Sequence, residues 1–519
     1  MWQRFSSNDV RVIGHYLGML ILFSTIALTI PFATAIVYHE WSAASRYLLA
    51  MGITFVSGSA LRFCRIQPGQ LTRQQAIAVV GLAWIVLAYF AAVPLFLSGH
   101  YATYLDALFE SVSGLTTTGA SVVLDLDHIS NADNMWRFVM HAIGGLGLIV
   151  VGVSLGLFGR GGGQGLFTSE GRSEHVLPNV VGSTRFIARV SASFILVFMV
   201  LLTVTCLSKG MQADRAFLHS LWLSISGFMT AGFTPMSQSV MYYHSFPLEL
   251  MLIVLVFMGV LPFTLHSEVL RGNVREVFRD TEVKAMCIWL IAIVLVYVSA
   301  AVAGVNMTDL PALLRRSVYM VISGFSTVGF MVVTPSQLTG MISSGAFLTL
   351  AVLMVIGGMS GSTSGGIKIQ RIAMIAKSIL MEVKSTLAPD SARVVVSYYH
   401  LGRRPVTSGL IREAMTVASL YAITYIIGAL VAIAHGYEAS QAIFDSISMA
   451  SNGGLTSGVV APGMPASLEL FFIFEMWAGR LEFLTLLALI AQIVASLTPN
   501  RVSEWASVRA AERRRRDRL

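Results

Sequence analysis

Four short loops of similar sequence carry the residue types whose spacing most clearly suggests a binding function. They read SGLTTTGA at Ser113–Ala120, SGFMTAGF at Ser226–Phe233, SGFSTVGF at Ser323–Phe330 and SMASNGGL at Ser448–Leu455. Each begins with serine and places a glycine six positions later, at Gly119, Gly232, Gly329 and Gly454. No loop carries a charge, which argues against a filter of carboxylate side chains and favours backbone carbonyl oxygens as cation ligands.

The glycine in each loop has a conformational reason. A loop that turns its carbonyl groups toward an ion needs residues with φ > 0, which glycine adopts without a Cβ clash. The predicted cation filter comprises Thr117, Thr118, Gly119, Thr230, Ala231, Gly232, Thr327, Val328, Gly329, Asn452, Gly453 and Gly454. One such loop alone is most simply an ordinary turn between helices. Four copies in register, each between two apolar segments, favour four sides of one pore.

The elements that must position these loops are membrane-spanning helices. A mean hydropathy of +0.73 with 12% charged residues indicates a multi-span membrane protein. Ten segments reach the length of about 20 residues that a span needs, at about 12–38, 45–66, 76–98, 135–158, 185–208, 246–268, 284–304, 345–378, 411–435 and 468–494. The N-terminus has no small-residue cleavage site, so we expect an uncleaved first span. The three cysteines form neither a disulfide framework nor a metal site.

Basic residues orient these segments in the membrane. With a cytoplasmic N-terminus, the inside segments hold 28 of the 35 Lys and Arg residues, as the positive-inside rule expects. Both termini are then cytoplasmic and all four loops face outside. The run Arg513–Arg516 is expected to contact anionic headgroups or a partner, with nucleic acid the weaker interpretation. Acidic residues near the loops are expected to concentrate cations at the pore mouth; they are Asp106, Glu110, Asp125, Asp127 and Asp133.

A glycine-rich segment, GGMSGSTSGG at Gly357–Gly366, interrupts the apolar stretch 345–378. Five of its ten residues are glycine, and each glycine costs a helix about 1 kcal/mol relative to alanine. We therefore expect a loop at membrane depth. Tight helix packing through small residues is the alternative, although packing motifs space their glycines along one face. Lys368 and Arg371, which follow, are expected to mark the cytoplasmic boundary.

Arg480 is a charged residue within the last apolar segment. Such a charge is costly unless it faces a cavity or a partner, so it is a functional candidate. A structural ion pair with another helix is the alternative. Glu475 and Glu482 are seven residues apart, so on a continuous helix they share one face, which does not include Arg480.

Several stretches resemble the TrkH/TrkG/KtrB superfamily of K⁺ uptake proteins. FESVSGLTTTGAS resembles the first filter, HAIGGLGLIVVGV the helix after it, GGMSGSTSGGIKIQR the intramembrane loop and WAGRLEFLTLLAL the last pore-lining helix. The resemblance implies an all-α membrane protein with four helix–pore-loop–helix repeats around a central pore. Two additional N-terminal transmembrane helices favour the TrkH/TrkG branch. The expected division is 1–70 for the N-terminal helices, 71–160, 161–272, 273–380 and 381–496 for the repeats, and 497–519 for a basic tail.

Two positions depart from the family pattern. Met449 stands where the other loops have Gly114, Gly227 and Gly324, so the fourfold symmetry is approximate. Pro262 is expected to kink the helix after the second loop. Neither departure removes a filter glycine, and the glycine at 119 favours K⁺ over Na⁺ by the family resemblance.

The resemblance also implies function and partners. It implies K⁺ uptake across the bacterial cytoplasmic (inner) membrane, with Rb⁺ permeant and some Na⁺ passage. The implied gate comprises Gly357, Gly358, Gly361, Gly365, Gly366 and Arg480. A homodimer and a soluble nucleotide-binding subunit of the TrkA or KtrA type are implied, docking at 159–184, 379–411 or the tail. The run GRGGGQG at Gly159–Gly165 lacks the GxGxxG pattern, so we expect no nucleotide or other cofactor within this chain.

Other function classes remain as alternatives. An H⁺- or Na⁺-coupled K⁺ symporter of the same fold is the first, and an unrelated solute carrier is less favoured. A proton-coupled carrier is expected to have acidic residues inside its spans. An enzyme is not expected, because the chain has no HExxH, GxSxG or paired in-span Asp motif.

Overall fold

The described part of the chain folds almost entirely into helices. The computed structural model describes residues 4–64, 71–147, 180–304, 310–340, 343–389, 391 and 394–497. Within these ranges the only sheet is an antiparallel hairpin of β1 (Ser397–Tyr399) and β2 (Arg403–Pro405). The all-α class predicted from the sequence is confirmed. Helices are numbered in chain order over the described residues.

Two helical segments precede the loops. α1 (Ser7–Ala27) leads into α2 (Thr29–Val37), and α3 (Trp41–Arg62) packs along α1. The two long helices touch at Gly18 and Gly58, where an added Cβ would lie 2.8 or 3.0 Å from the other glycine's carbonyl oxygen. Small residues at this crossing therefore set how closely the helices approach.

Each of the four loops is preceded by a long helix and then a short helix. Another helix follows the loop. The first repeat has α4 (Arg73–Phe96), α5 (Tyr104–Leu115) and α6 (Asn131–Leu146), and the second has α7 (Val180–Ser208), α8 (Ala213–Phe228), α9 (Phe246–Val260) and α10 (Phe263–Leu270). After α11 (Val274–Arg279), the third has α12 (Thr281–Gly304), α13 (Leu310–Ser326), α14 (Pro335–Gly340), α15 (Ser344–Ile356) and α16 (Ile369–Leu387). The fourth has α17 (Ser408–Ala434), α18 (Ala439–Ala450), α19 (Ala466–Arg480) and α20 (Leu484–Leu497). Two 3₁₀ turns lie at Leu126–His128 and Ser239–Tyr243. The short helices α5, α8, α13 and α18 end within the loop motifs, so we call them the pore helices.

The helix after each loop ends early. α6, α9, α15 and α19 have 16, 15, 13 and 15 residues, too few to cross a hydrocarbon layer of roughly 30 Å alone. The chain bends by 100° between α9 and α10 and by 114° between α19 and α20. Pro262 lies at the first bend, where it has no backbone N–H to continue α9. The predicted kink is confirmed.

Fewer than the ten predicted spans are found among the described residues when each continuous helical segment is counted by itself. Five helical segments of the described residues are long and apolar enough to cross a membrane, or seven if each bent pair is one span. The count of ten spans and the repeat boundaries thus stay predictions. The run Gly159–Gly165, the loop 159–179 and the tail with Arg513–Arg516 lie outside the described residues.

Candidate ion filter and gate

All four pore helices end in the same hydrogen-bonded turn. In each motif the sixth residue donates its backbone N–H to the carbonyl of the first, with N···O distances of 2.9, 2.9, 3.2 and 2.7 Å for Thr118, Ala231, Val328 and Gly453. The fifth residue donates to the carbonyl of the second at 3.1–3.4 Å. This pair of bonds is a Schellman helix end, which requires a left-handed residue just after the helix.

That left-handed residue is not glycine in any of the loops. The fifth positions have φ of 58°, 48°, 55° and 52° at Thr117, Thr230, Thr327 and Asn452. Threonine rarely adopts such angles, and a β-branched side chain there is strained. The glycine two residues later has φ of 83°, 90°, 79° and 68° in the four loops. The predicted φ > 0 at these glycines is confirmed, and the strained residue at the fifth position is a feature that the motif did not reveal.

The four glycines close a ring in chain order. A Cβ added to Gly119 would lie 2.2 Å from the carbonyl oxygen of Ala231, and one on Gly232 would lie 2.5 Å from that of Val328. A Cβ on Gly329 would lie 2.8 Å from the carbonyl oxygen of Gly453, and one on Gly454 would lie 2.1 Å from that of Thr118. Each loop thus packs its glycine on the sixth residue of the next, and the fourth returns to the first.

Two buried carboxylates hold the far side of the loops. Glu110 in the first pore helix accepts the backbone N–H of Val122 at 3.1 Å, and Asp445 in the fourth accepts that of Ser457 at 2.7 Å. Both acceptors lie twelve residues before their donor, so the two repeats use the same anchor. Sequence reasoning missed this role, although both acids occupy the place three residues before the motif serine.

The acidic residues near the loops do not form the open pore mouth that we predicted. Glu110 pairs with buried Arg137 at 2.8 Å, and Asp133 pairs with Arg46 at 3.1 Å. Asp106 is also buried, where it caps the start of α5. Desolvated carboxylates are kept by such partners, so these three are structural.

Only Asp125 and Asp127 of that group are exposed. Asp127 accepts hydrogen bonds from the backbone and hydroxyl of Ser237 at 2.7 Å. Asp125 bonds His128, which raises the pKa of His128 and lowers the pKa of Asp125. Both exposed acids of the predicted group are therefore hydrogen-bonded.

The glycine-rich segment is a loop, as predicted. α15 ends at Ile356 and α16 begins at Ile369, and Gly357, Gly361 and Gly366 have φ of 67°, 70° and 78°. Because these glycines lie outside any helix, the alternative of a helix-packing motif is wrong. We call residues 357–368 the gate loop.

The gate loop binds three of the four filter loops. Gly365 donates its N–H to the hydroxyl of Thr327 at 2.7 Å, and Gly366 donates to the carbonyl of Ser451 at 3.0 Å. Thr363 bonds the hydroxyl of Thr230 at 3.1 Å. The strained threonines of the second and third filter loops are thus hydrogen-bonded to this segment, whose Gly357, Gly358, Gly361, Gly365 and Gly366 were all predicted gate residues.

Arg480 completes the set at the first filter loop. Its guanidinium donates to the Thr117 hydroxyl at 3.1 Å and to the Thr363 carbonyl at 3.4 Å, and it also bonds the carbonyl of Gly144. It lies 5.5 Å from the centre of the Trp84 ring, a favourable distance for a cation on an aromatic face. Arg480 and the gate loop therefore meet directly at the filter, and both line a cavity of about 70 Å³.

Lys368, the last residue of the gate loop, is packed inside the protein. It is buried, has φ of 80°, and bonds the carbonyl of Ser364 within the gate loop. It lines the same cavity as Arg480, and its place at the cytoplasmic boundary stays a prediction. The gate loop turns the chain back at this point. The apolar residues on either side of the loop in the sequence do not reveal this turn.

The predicted shared face of Glu475 and Glu482 is also wrong. α19 ends at Arg480, and Glu482 and Phe483 have φ of 53° and 59°. Glu482 pairs with Arg371 at 2.5 Å, whereas Glu475 bonds the Ser446 hydroxyl of the fourth pore helix at 2.7 Å. The helix break separates the two acids. Glu475 is a fully buried acid inside α19.

This arrangement suits a monovalent cation that sheds its water. The ring of uncharged backbone turns has carbonyl oxygens, the groups that replace the hydration shell in cation filters, and the guanidinium of Arg480 lies against the first of the four loops. These groups do not suggest a reaction that makes or breaks covalent bonds.

The comparisons with known proteins concern the family and the overall fold. The family model described as TrkH, cation transport protein, matches residues 44–497. An uncharacterized cation transporter of Methanocaldococcus jannaschii is 30% identical over 94% of this chain and 97% of its own length. The Trk system potassium uptake protein TrkH of Escherichia coli K12 is 29% identical over 92% of this chain and 98% of its own. The crystal structure of the potassium transporter TrkH from Vibrio parahaemolyticus superposes with a TM-score of 0.78, at 24% identity, over 94% of this chain and 99% of that one.

Proposed function

Because the chain belongs to the TrkH family of cation transport proteins, we propose that it takes up K⁺ across the bacterial cytoplasmic membrane. The family's members named above are transporters and not enzymes, as the sequence predicted. The proposed path runs through the filter of the four loops. The ring closed by Gly119, Gly232, Gly329 and Gly454 is the single observation that carries this proposal.

The ring supports K⁺ for a chemical reason. Uncharged carbonyl oxygens at fixed positions replace the hydration shell of a large monovalent ion and leave a divalent ion under-compensated. Thr117-Thr118, Thr230-Ala231, Thr327-Val328 and Asn452-Gly453 precede the four glycines and supply these oxygens. Rb⁺, which is similar in size and charge, is proposed to permeate.

The gate is proposed to be the gate loop together with Arg480. Both lie against the fifth residue of a filter loop, so a cation leaving the filter meets a loop and a positive charge. A guanidinium stays charged when desolvated, and its repulsion of K⁺ is stronger in a medium of low dielectric constant. Opening is proposed to move both away from the filter.

The partners are proposed on the family resemblance. A soluble nucleotide-binding subunit of the TrkA or KtrA type is proposed to drive opening, and the chain is proposed to form a homodimer with both termini cytoplasmic. The segment around α16 and the hairpin, which follows the gate loop directly, is the described surface best placed to receive such a subunit.

Uptake of ⁸⁶Rb⁺ by liposomes that contain the purified protein tests the proposal. We expect uptake that excess K⁺ suppresses more strongly than excess Na⁺. Liposomes without protein and liposomes with a variant that blocks the filter are the controls. Equal suppression by Na⁺ and K⁺ would reject the filter.

An H⁺- or Na⁺-coupled K⁺ symporter is the second candidate. The fully buried Glu475 in α19 favours it, because coupled carriers place acidic residues inside their spans. The same flux assay, with and without an imposed pH or Na⁺ gradient, separates the two mechanisms.

A further inference from the structure

Three buried ligand-type side chains meet beside the gate loop, away from the filter. Asp280 precedes α12, Glu282 lies in its first turn, and His400 follows strand β1. One potential ligand atom from each lies within 4.8 Å of the others. Their exposed fractions are 1%, 3% and 4%. All three residues lie outside the four loop motifs.

Hydrogen bonds fix two of the three side chains in place. Asp280 accepts from the Nδ1 of His400 at 2.8 Å and from the backbone N–H of Glu282 at 2.7 Å. The hairpin is held to the same corner, because Tyr399 donates its N–H to the Thr281 hydroxyl at 2.8 Å. The cluster is therefore a preorganised corner between α12 and the hairpin.

Glu282 connects this corner to the gate loop and leaves one oxygen unused. Its Oε1 accepts the backbone N–H of Ser360 at 3.0 Å. Its buried Oε2 has no hydrogen-bond donor among the described residues. A buried carboxylate oxygen without a partner is costly, and a cation beside an imidazole and a second carboxylate would remove that cost.

We propose that Asp280, Glu282 and His400 form a binding site for a divalent transition-metal ion that fastens the gate loop in place. One imidazole and two carboxylates are a ligand set that suits Zn²⁺ or Mn²⁺. Ligand atoms bound at about 2.0–2.2 Å to a tetrahedral ion lie about 3.4 Å from one another, so side-chain rotations must bring the three groups closer together than the 4.8 Å within which their ligand atoms now lie. The metal would hold Glu282 while that residue keeps its bond to Ser360.

The site lies close to a route from solvent. Leu401, next to His400 at the hairpin turn, is exposed, and Gly402 after it has φ of 132°. Opening of this turn would uncover the imidazole without disturbing the filter. Binding at the corner would then join three parts of the chain: the start of α12, the hairpin and the gate loop.

The test measures metal binding and transport separately. Purified full-length protein, stripped with a chelator, is titrated with Zn²⁺ and with Mn²⁺ by calorimetry, and bound metal is counted by elemental analysis. We expect one equivalent per chain and a higher Tm in the presence of the metal. Absence of saturable binding overturns the proposal. It would mean that the three side chains only form hydrogen bonds.

Two variants and a control locate the site. Glu282→Gln keeps an oxygen acceptor for the Ser360 N–H but removes the carboxylate, and His400→Ala removes the imidazole. Each removes a proposed ligand and should weaken binding by at least about 100-fold, the upper end of the loss seen when only an outer-shell partner is removed. His435→Ala, at an exposed histidine bonded to Ser467, should bind as wild type does. Unchanged affinity in both cluster variants overturns the assignment.

The link to the gate rests on the proposed function and is read from ⁸⁶Rb⁺ flux. Zn²⁺ on both sides of the liposome should lower flux several-fold in wild type and leave Glu282→Gln unaffected. Tight binding with unchanged flux overturns the fastening role. Failure of the proposed function is a different result: no flux in any variant, with metal binding intact.

Discussion

At the scale of single residues, the fifth position of three of the four loops joins that loop to the gate loop or to Arg480. Glycine would adopt the left-handed conformation there without strain, yet three loops have threonine. Each of these threonine hydroxyls contacts the gate: Thr117 binds Arg480, Thr230 binds Thr363, and Thr327 binds the N–H of Gly365. The backbone strain is therefore best explained by the need for a hydroxyl at that place.

The first prediction tests this role at Thr327. Thr327→Ala keeps the strained backbone and removes a buried hydrogen bond, so stability should fall by about 1 kcal/mol. Basal ⁸⁶Rb⁺ flux should rise, because the gate loop loses its anchor on the third filter loop. Thr327→Ser, which keeps the hydroxyl, is the matched control. Equal flux from the two variants contradicts the role.

The second prediction concerns the ring of glycines. Gly119→Ser places a Cβ 2.2 Å from the Ala231 carbonyl oxygen, in addition to the unfavourable φ of 83°. Strain of about 1–3 kcal/mol should displace the carbonyls and lower K⁺ over Na⁺ selectivity about tenfold while the protein still inserts. Growth rescue at low K⁺ and competition flux measure this.

Gly99→Ser is the control for the glycine substitution. Gly99 has a similar φ of 79°, but an added Cβ meets no atom within 4 Å. It should keep wild-type selectivity. If Gly119→Ser also kept wild-type selectivity, the filter assignment would be wrong.

The third prediction concerns Arg480. Arg480→Ala removes a charge that repels K⁺ below the filter, so flux should increase several-fold and depend less on the soluble subunit. Arg480→Lys should be only partly conservative, because lysine lacks the planar fork that reaches Thr117 and Thr363 together. Arg412→Ala, at an exposed arginine of α17, is the control. A misfolded protein or unchanged flux would instead identify Arg480 as a structural residue.

What the sequence could predict at this scale was set by local patterns. The glycines at the seventh position and the exception at Met449 follow from the motif itself. Other features depend on contacts between distant parts of the chain. These are the role of Lys368, the Arg371–Glu482 pair, and the anchors Glu110 and Asp445. Such contacts leave no signal in a single sequence, because the sequence does not distinguish a buried acidic residue from an exposed one.

At the scale of elements, the early helix ends explain how the gate loop can lie against the four loops. α6, α9 and α19 have glycines at Gly144, Gly259 and Gly479, where an added Cβ would lie 1.8–2.1 Å from a carbonyl at the end of a pore helix. The helices therefore touch the pore helices and then end, which leaves space for the gate loop. Apolar length alone predicted continuous spans, since apolar composition does not reveal where a helix stops.

The fourth prediction concerns the gate loop as an element. Deleting most of residues 358–365 should raise basal cation leak, because the loop lines the cavity beside Arg480 and is proposed to block the path below the filter. Thr363→Ala should give part of this effect, since Thr363 binds Thr230 and also the carbonyls of Phe228 and Gly259. Flux into liposomes, with Tm as a check on folding, measures both.

Ser362→Ala is the control for the gate loop. Ser362 bonds only Met359 and Ser364, both within the loop. It should leave flux unchanged. A deletion that lowers expression and Tm with no added leak would show that the loop is structural.

At the scale of the whole molecule, the repeats close into a ring outside the filter as well. In the fourth repeat, Trp477 donates its indole N–H to the carbonyl of Gly81 in α4 at 2.9 Å. Near the two ends of the described chain, Phe5 donates its N–H to the Ser496 hydroxyl at 2.9 Å. The fourth repeat thus packs against the first, as the glycine ring requires. A motif repeated four times predicted this closure, because each repeat needs a neighbour on both sides.

The fifth prediction separates channel-like from coupled transport. The only fully buried acid of α19, Glu475, bonds Ser446 behind the fourth pore helix and does not line the cavity below the filter. An ion in the path therefore does not meet it, and we expect ⁸⁶Rb⁺ uptake to follow its own gradient with no response to an imposed pH gradient. Glu475→Gln should retain this behaviour, since glutamine can accept the same hydrogen bond. Uptake that a pH gradient drives in wild type, and that Glu475→Gln no longer shows, would establish coupled transport with Glu475 as the proton site.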